Sequence, residues 1–318
     1  MTKKLITYED IQLAHRRIKP YIHKTPVLTS KSINNIIGCE VYFKCENFQK
    51  VGAFKMRGAT NAILLLSTFD KQHGVATHSS GNHGQAVALS ARQNSMKAYI
   101  VMPENAPEIK KKAVEGYGAK VIECKPTLQS REQTLQETIK ETGAAFIHPY
   151  NDVNVIAGQG TVALEFLDEI PYLDLILVPV GGGGLISGTA LATHYLSRKT
   201  KVIGCEPKGA DDVYNSFGAG IIVKKDHPKS IADGLLSTVG QINFDIIKTY
   251  VHQILTVEES EIIMAMKLVW ERMKIIIEPS AAVPLAALIN NKENYKGEKV
   301  GIILSGGNVD VEKFHFNI

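Results

Sequence analysis

Beyond residue 70 the chain alternates between short apolar runs and stretches whose apolar residues recur at helical spacing. GVATHSS (74–80), KAYIVMP (97–103), KVIEC (120–124) and AFIHP (145–149) read as strands. GNHGQAVALSARQ (81–93) has helical spacing at Ala86, Leu89 and Ala91. PEIKKKAVEGYG (107–118) has Pro107 near its start and glycines at its end, as a helix does. A further helix is predicted around Ser130 to Thr142. The series continues with a helix over GQGTVALEFLDEI (158–170) and strands over DLILVPV (174–180), KVIGCEP (201–207) and KVGIILS (299–305). Near-continuous Val, Ile and Leu runs mark parallel strands covered on both faces. Strands alternating with helices predict α/β architecture, with parallel-stranded open sheets flanked by helices. Two such series, 74–150 and 151–318, suggest two lobes. Ligands of such folds bind at the carboxyl ends of the strands, so the loops after THS, VPV, GCE and ILS are the candidate site.

Composition narrows the class. With 318 residues and 44% hydrophobic content the chain can bury a large core as one large or two smaller domains. Its net charge of +4 comes with only short basic clusters, Lys110–Lys112 and Lys224–Lys225, so no nucleic-acid partner is expected. Cys39, Cys45, Cys124 and Cys205 lack CxxC spacing, which argues against structural zinc and for a reducing compartment, the cytoplasm. The opening MTKKLITYEDIQ meets Glu9 and Asp10 before any apolar run and does not read as a signal peptide. Leu175 to Ser197 is long enough to span a bilayer and free of Asp, Glu, Lys and Arg. Pro179 and Gly181–Gly184 interrupt it, which reads as strand, turn and buried helix, with no membrane partner.

Three loops and one lysine carry chemistry. In NFQKVGAFKMRGA (47–59), Lys55 lies between Phe54 and Met56. It is either a lysine with its stem packed and its head in water, or an amine kept from solvent so that it forms a Schiff base. VPVGGGGLISG (178–188) passes from strand to helix. Gly181, Gly182, Gly183 and Gly184 can bring backbone N–H groups to a phosphate at the helix N-terminus. A tight turn is the plain alternative. A dinucleotide site is the rival, with Glu206 about 20 residues on as the ribose acid, although Ser187 stands where its third glycine would be. In THSSGNHGQA (77–86), Ser79, Ser80, Gly81, Asn82 and His83 suit a carboxylate, or an N-cap alone. SGGNVD (305–310) puts Ser305 at a strand end.

GAFKMRGA, SSGNHGQA, GQGT, VGGGGLISG and SGGNVD resemble the serine/threonine dehydratase family of fold-type II pyridoxal phosphate (PLP) enzymes. CEPKGADD, IADG and LVWERMKIIIEPSAA resemble its eukaryotic-type serine racemase branch, and the resemblance runs from HKTPVLTS (23–30) to SGGNVD. It implies a two-lobed, tryptophan synthase β-like fold, with a large PLP-binding domain from 1–73 and 151–318 and a small domain from 74–150. It implies Lys55 as the Schiff-base lysine and base on one face of Cα, Phe54 against the cofactor, Asn82 on the ring 3-hydroxyl, Gly181–Gly184 on the phosphate and Ser305 at the pyridine nitrogen. A neutral serine there leaves the ring a weaker electron sink than a carboxylate would, so loss of a β-hydroxyl competes with reprotonation. Ser80 matches the proton donor on the opposite face of Cα in serine racemases, and hydroxyaspartate dehydratases of similar sequence also carry serine there. Ser79, Asn82 and His83 would bind the substrate carboxylate, and Arg131 a second one, as in 3-hydroxyaspartate.

The same resemblance implies Mg²⁺ or Ca²⁺ on Glu206, the Ala210 carbonyl and Asp212, donors that suit a hard cation. It implies an activating ATP lined by Ser30, Lys31, Ser32, Lys50, Gln85 and Tyr117, and a homodimer. Two positions depart from the animal racemases: Val51 replaces a threonine of the nucleotide site, and Tyr150 an asparagine beside the cofactor. The functions in view are a serine racemase with serine/threonine β-elimination, an L-threo-3-hydroxyaspartate or L-threonine dehydratase that barely racemises, and a nucleotide- or PLP-binding protein without turnover.

Overall fold

Apolar strands that need cover on both faces find it here in two sheets wrapped by helices. The computed structural model describes residues 6–311, so the first five residues of the N-terminal reading lie outside it. In chain order the strands are β1 (Val27–Thr29), β2 (Glu40–Cys45), β3 (Val75–His78), β4 (Ala98–Pro103), β5 (Lys120–Cys124), β6 (Ala145–Phe146), β7 (Leu175–Pro179), β8 (Lys201–Pro207), β9 (Gln253–Val257) and β10 (Lys299–Leu304). The six-stranded sheet has the order β1-β2-β10-β7-β8-β9, and the four-stranded sheet β5-β4-β3-β6. All pairings are parallel except β1 with β2.

The apolar runs match these strands to within about two residues, with one exception. AFIHP forms only the two-residue edge strand β6. Its remainder turns away because His148 caps its own loop, its Nδ1 accepting from the backbone N–H of Tyr150 at 3.2 Å and Asn151 at 2.9 Å. The helix expected over 158–170 begins earlier, at Val153, where the Asp152 side chain accepts from the N–H groups of Asn154 and Val155. Among the described residues no helix is long and apolar enough to cross a membrane.

Three helices set the spacing of the site, and glycines set the spacing of the helices. Lys55–Leu64 crosses Val153–Glu169 so closely that a Cβ on Gly158 would lie 2.7 Å from the Arg57 carbonyl oxygen and from Gly58 Cα. Val153–Glu169 in turn meets Gly184–Leu196, where a Cβ on Gly188 would lie 2.4 Å from the Gly160 nitrogen. GQGT is thus a double contact surface, tying the helix that starts at Lys55 to the helix that starts at the glycine loop.

The Lys55 helix has two buried faces. Met56, Ala59 and Ile63 pack with Val75, Ala86 and Ile100 around the smaller sheet. Its other face carries Arg57, which is fully buried. Arg57 donates to Glu46 at 2.7 and 2.8 Å and to Glu165 at 2.9 and 2.8 Å, while Lys44 donates to Glu165 at 2.9 Å. Two cations balance two carboxylates, which is what makes such burial tolerable.

Candidate active site

The carboxyl ends of β2, β10, β7 and β8 lie side by side in the larger sheet, and their loops bring the predicted residues to one edge. Lys55 opens its helix immediately after Ala53, which bridges to Gly306, and Phe54, whose N–H donates to the Ser305 carbonyl at 3.0 Å. The loops after β2 and β10 are therefore pinned together. Lys55 is half-buried. Its Nζ donates to the Pro149 carbonyl at 2.9 Å and lies 5.1 Å from the Phe54 ring centroid. Loss of hydration lowers its pKa to about 8, against the opposing pull of Glu278. An amine with that pKa is partly neutral near physiological pH, which is what a carbonyl-trapping nucleophile needs.

The glycine loop is a cradle that side chains would fill. A Cβ on Gly181 would lie 2.9 Å from Leu235 Cα, and one on Gly182 would lie 2.3 Å from the Tyr150 ring. Gly183 has φ +93° and starts the helix Gly184–Leu196 with no side-chain cap, which leaves that helix's first N–H groups for an anion. Asn243 steadies the loop, its Nδ2 donating to the Gly182 carbonyl at 2.8 Å and to the Tyr150 carbonyl at 3.1 Å. Tyr150 thus covers the glycine loop, and the Pro149 carbonyl next to it holds Lys55. An anion cradle beside a partly neutral amine fits the phosphate and the carbonyl of PLP.

The smaller sheet contributes the loop after β3. Ser79 Oγ accepts from the Gly81 N–H at 3.3 Å, and Ser80 is half-buried beside it. The helix Asn82–Gln93 also starts without a side-chain cap, so a carboxylate can be received by its first N–H groups. The His83 ring is otherwise engaged. Its Nε2 faces the Ile147 carbonyl at 3.0 Å, so that nitrogen carries the proton, and burial with Lys55 nearby keeps the ring neutral. Any carboxylate contact at His83 therefore falls to its backbone N–H, not its ring. Arg131, on the helix Leu128–Thr142, lies close enough to His78 at the end of β3 to lower that histidine's pKa, after burial.

Asn82 is held at both ends of its amide. Its Nδ2 donates to Glu278 Oε1 at 2.9 Å and Oε2 at 3.1 Å, and its Oδ1 accepts from Asn308 Nδ2 at 2.8 Å. Asn308 also donates to the Val51 carbonyl at 2.7 Å, and Val51 adopts φ +56°, a strained angle for a β-branched residue. Glu278 was not singled out from the sequence. Its pKa is raised to about 7 by burial and by Asp233, against Asn82 and Lys110. The run IIIEPS does carry a signal, a single acid in an apolar stretch, the same kind of anomaly that marks Lys55.

The remaining predicted residues fall in two groups. Glu206 ends β8 and accepts from the N–H groups of Val213 at 3.2 Å and Tyr214 at 2.7 Å, while Asp212 accepts from the Val239 N–H at 2.9 Å. Burial, then Asp212, raises the Glu206 pKa, and burial raises Asp212 to about 6. Two buried carboxylates, one of which raises the proton affinity of the other, fit a cation site. Among the described residues no cluster of three or more His, Cys, Asp or Glu side chains forms a metal cage, so the Ala210 carbonyl or water would complete the shell. Lys50, Gln85 and Tyr117 sit on neighbouring elements beside the smaller sheet's core. Ser30 caps the helix Lys31–Ile37, which also carries Lys31 and Ser32 and packs on β2 and the helix Glu259–Met273.

Comparison with known proteins adds an independent line. A family model described as "Pyridoxal-phosphate dependent enzyme" matches residues 18–306. The chain is 52% identical over 310 residues to a serine racemase of Dictyostelium discoideum, covering 96% of each. The crystal structure of the Dictyostelium serine racemase superposes with a TM-score of 0.91, covering 96% of this chain and 99% of that one. A beta-hydroxyaspartate dehydratase of Paracoccus denitrificans is 48% identical over 311 residues, 98% of this chain and 99% of that protein. An L-threo-3-hydroxyaspartate ammonia-lyase of Saccharomyces cerevisiae is 48% identical over 309 residues, 97% and 95% of the two chains.

Proposed function

The chain belongs to the pyridoxal-phosphate dependent enzyme family, and on that premise we propose that it interconverts L- and D-serine and also carries out β-elimination of serine or threonine to a 2-oxo acid and ammonia. The observation that carries this reading is Lys55, a half-buried amine with its pKa lowered to about 8, facing an uncapped glycine cradle. PLP bound there supplies an electron sink for negative charge at Cα. Lys55, once free of the cofactor, takes or returns a proton at Cα on one face, and Ser80 does so on the other. The open N-terminus of Asn82–Gln93 receives the substrate carboxylate, and Ser305, uncharged and buried, meets the pyridine nitrogen.

A second reading rests on Arg131. It sits on the carboxyl-end side of the smaller sheet, near His78, where the β-carboxylate of 3-hydroxyaspartate would reach it. Dehydration of L-threo-3-hydroxyaspartate is the activity that this arginine favours, and relatives named for hydroxyaspartate stand beside the racemases.

We further propose Mg²⁺ or Ca²⁺ between Glu206, Asp212 and the Ala210 carbonyl, supported by the burial of two carboxylates, one of which raises the proton affinity of the other. ATP as an activator would use Ser30, Lys31, Ser32, Lys50, Gln85 and Tyr117. A cytoplasmic homodimer divided into domains 1–73 with 151–318 and 74–150 completes the proposal. Exposed Phe48 and Ile276, brought together where Asn47 bonds the Ile276 carbonyl, offer an apolar patch for a second copy.

The test uses purified protein with PLP, Mg²⁺ and L-serine, with and without ATP, following D-serine by chiral chromatography and pyruvate in the same tube. D-serine that disappears in Ser80→Ala while pyruvate persists supports the two-base racemase. Pyruvate without D-serine makes this a lyase, with L-threo-3-hydroxyaspartate the next substrate. Neither product from any of these substrates, with no visible absorbance from bound PLP, overturns the reading.

A further inference from the structure

Glu278 occupies the N-cap position of the helix Pro279–Asn290, yet its side chain makes no capping bond. It turns instead into the cleft, where both carboxylate oxygens meet Asn82 Nδ2. Space for it exists only because residue 306 is glycine: a Cβ there would lie 2.4 Å from Glu278 Oε1. The backbone fixes it further, the Glu278 N–H donating to the Gly306 carbonyl at 3.0 Å. The charged groups around it are Lys55 on the Lys55–Leu64 helix, Asp233 in the turn Asp233–Leu235, and Lys110 on the helix Glu108–Gly116, itself paired with Asp233 at 2.7 Å. The polar neighbours are Asn82 and, beyond it, Asn308.

This arrangement settles which way the Asn82 amide points. The Asn308 Nδ2, which also donates to the Val51 carbonyl, donates to Asn82 Oδ1, and that leaves Asn82 Nδ2 for the Glu278 carboxyl. Asn82 thus presents a donor, never an acceptor, toward the cleft. A buried carboxylate with no direct ion-pair partner is costly, and such a cost is retained where the charge is used.

We propose that Glu278 is the positioning residue of this site. It locks Asn82 as a donor to the cofactor's ring oxygen, and its negative charge keeps the nitrogen that joins Lys55 to the cofactor protonated. The proposal rests on the PLP reading above. Glu278→Gln keeps the shape and removes the charge. Gly306→Ala keeps the charge and displaces it. Asn308→Ala keeps both and frees only the far end of Asn82.

The experiment is a pH titration of the visible absorbance of the PLP-loaded enzyme, whose long-wavelength band reports the protonated linkage. In Glu278→Gln the pH at which half the band is lost falls by about one unit or more, as expected when a nearby anion is removed. Gly306→Ala moves it the same way. Asn308→Ala leaves the midpoint in place but weakens PLP retention on dialysis. A merely structural Glu278 would lose stability and cofactor content in Glu278→Gln with the midpoint unmoved, and that result overturns the proposal. Should Glu278→Gln fail to fold, an unmoved midpoint in Gly306→Ala overturns it equally. If the parent itself shows no such band with PLP, the cofactor reading has failed, which is a distinguishable outcome.

Discussion

Under the helix Lys55–Leu64, Arg57 and Lys44 meet Glu46 and Glu165 in direct contact, two charges against two. At the mouth of the same helix, Glu278 acts on the charge of Lys55 without a direct ion pair, and each keeps only neutral hydrogen-bond partners. The outcomes diverge accordingly. In the first cluster the charged forms are reinforced: Arg57 is raised further, and Arg57 with Lys44 holds Glu165 at about 2 despite its burial. In the second the charged forms are disfavoured, Lys55 falling to about 8 and Glu278 rising to about 7. The two sites lie within one turn of helix, and in both burial works against the charged form. What separates them is whether each charge has an opposite charge in contact. Compensated groups hold the fold, and uncompensated ones sit near the pH at which protons change hands.

The sharpest way to break this comparison is to delete one lysine or arginine from each site. Lys55→Ala should abolish both product formation and covalent PLP attachment, without lowering the urea midpoint of the cofactor-free chain. Arg57→Met should strand buried Glu46, leave Glu165 with Lys44 alone, and cost about 3–5 kcal/mol, read in the same urea titration. If Arg57→Met folds as well as the parent, the cluster is not the anchor described here.

The next effect is on pH, and its sign differs between the sites. Glu165 is depressed from 4.5 to about 2. Its contribution is therefore present above pH 4.5 and lost as pH falls toward 2, about 3 kcal/mol in all. Glu278 is raised from 4.5 to about 7. Its protonated form favours the folded state below pH 4.5, and that advantage is lost as pH rises through 7. Denaturation of the cofactor-free chain from pH 3 to 8 should show Glu278→Gln flattening the upper window, with Glu165→Gln altering only the lower. A common slope in both variants would erase the distinction.

Smaller effects separate glycines that space the site from glycines that do not. Gly182→Ala drives a methyl into the Tyr150 ring, 2.3 Å away, and should weaken PLP retention on dialysis at least tenfold. Gly218→Ala, inside the helix Asp212–Ala219 with nothing within 4 Å of the new Cβ, should leave PLP retention unchanged. It should raise the urea midpoint by about 0.5–1 kcal/mol.

The parallel strands were legible because burial on both faces leaves unbroken Val, Ile and Leu runs, as in KVIGCEP and KVIEC. β2 was not read, since EVYFKC mixes a buried lysine into the run, and only the distant Glu165 makes that lysine acceptable. AFIHP was read too long because the capping role of His148 has no sequence signature. At the site, Lys55 and the glycine loop stood out as anomalies in the chain, a cation among apolar residues and four glycines in a row, and the resemblance gave them their roles. The Pro149 carbonyl could not stand out, since backbone groups carry no letter. Glu278 could have been found by asking of IIIEPS the question asked of FKM. The His83 ring reads as a ligand in sequence, but its Nε2 is engaged by a carbonyl 64 residues away, and burial with Lys55 nearby keeps it neutral.

The helix Lys55–Leu64, packed between Asn82–Gln93 and Val153–Glu169, also has a mechanical meaning. For a rigid rotation, the path travelled by a point equals the angle times its distance from the axis. Were the smaller sheet to turn on the larger about an axis close to this helix, Lys55, at its first residue, would have a short lever arm and the loop Ser79–Asn82 a longer one. Such a swing would carry the serines and the helix N-terminus over a bound amino acid and leave the amine's aim at Cα nearly unchanged.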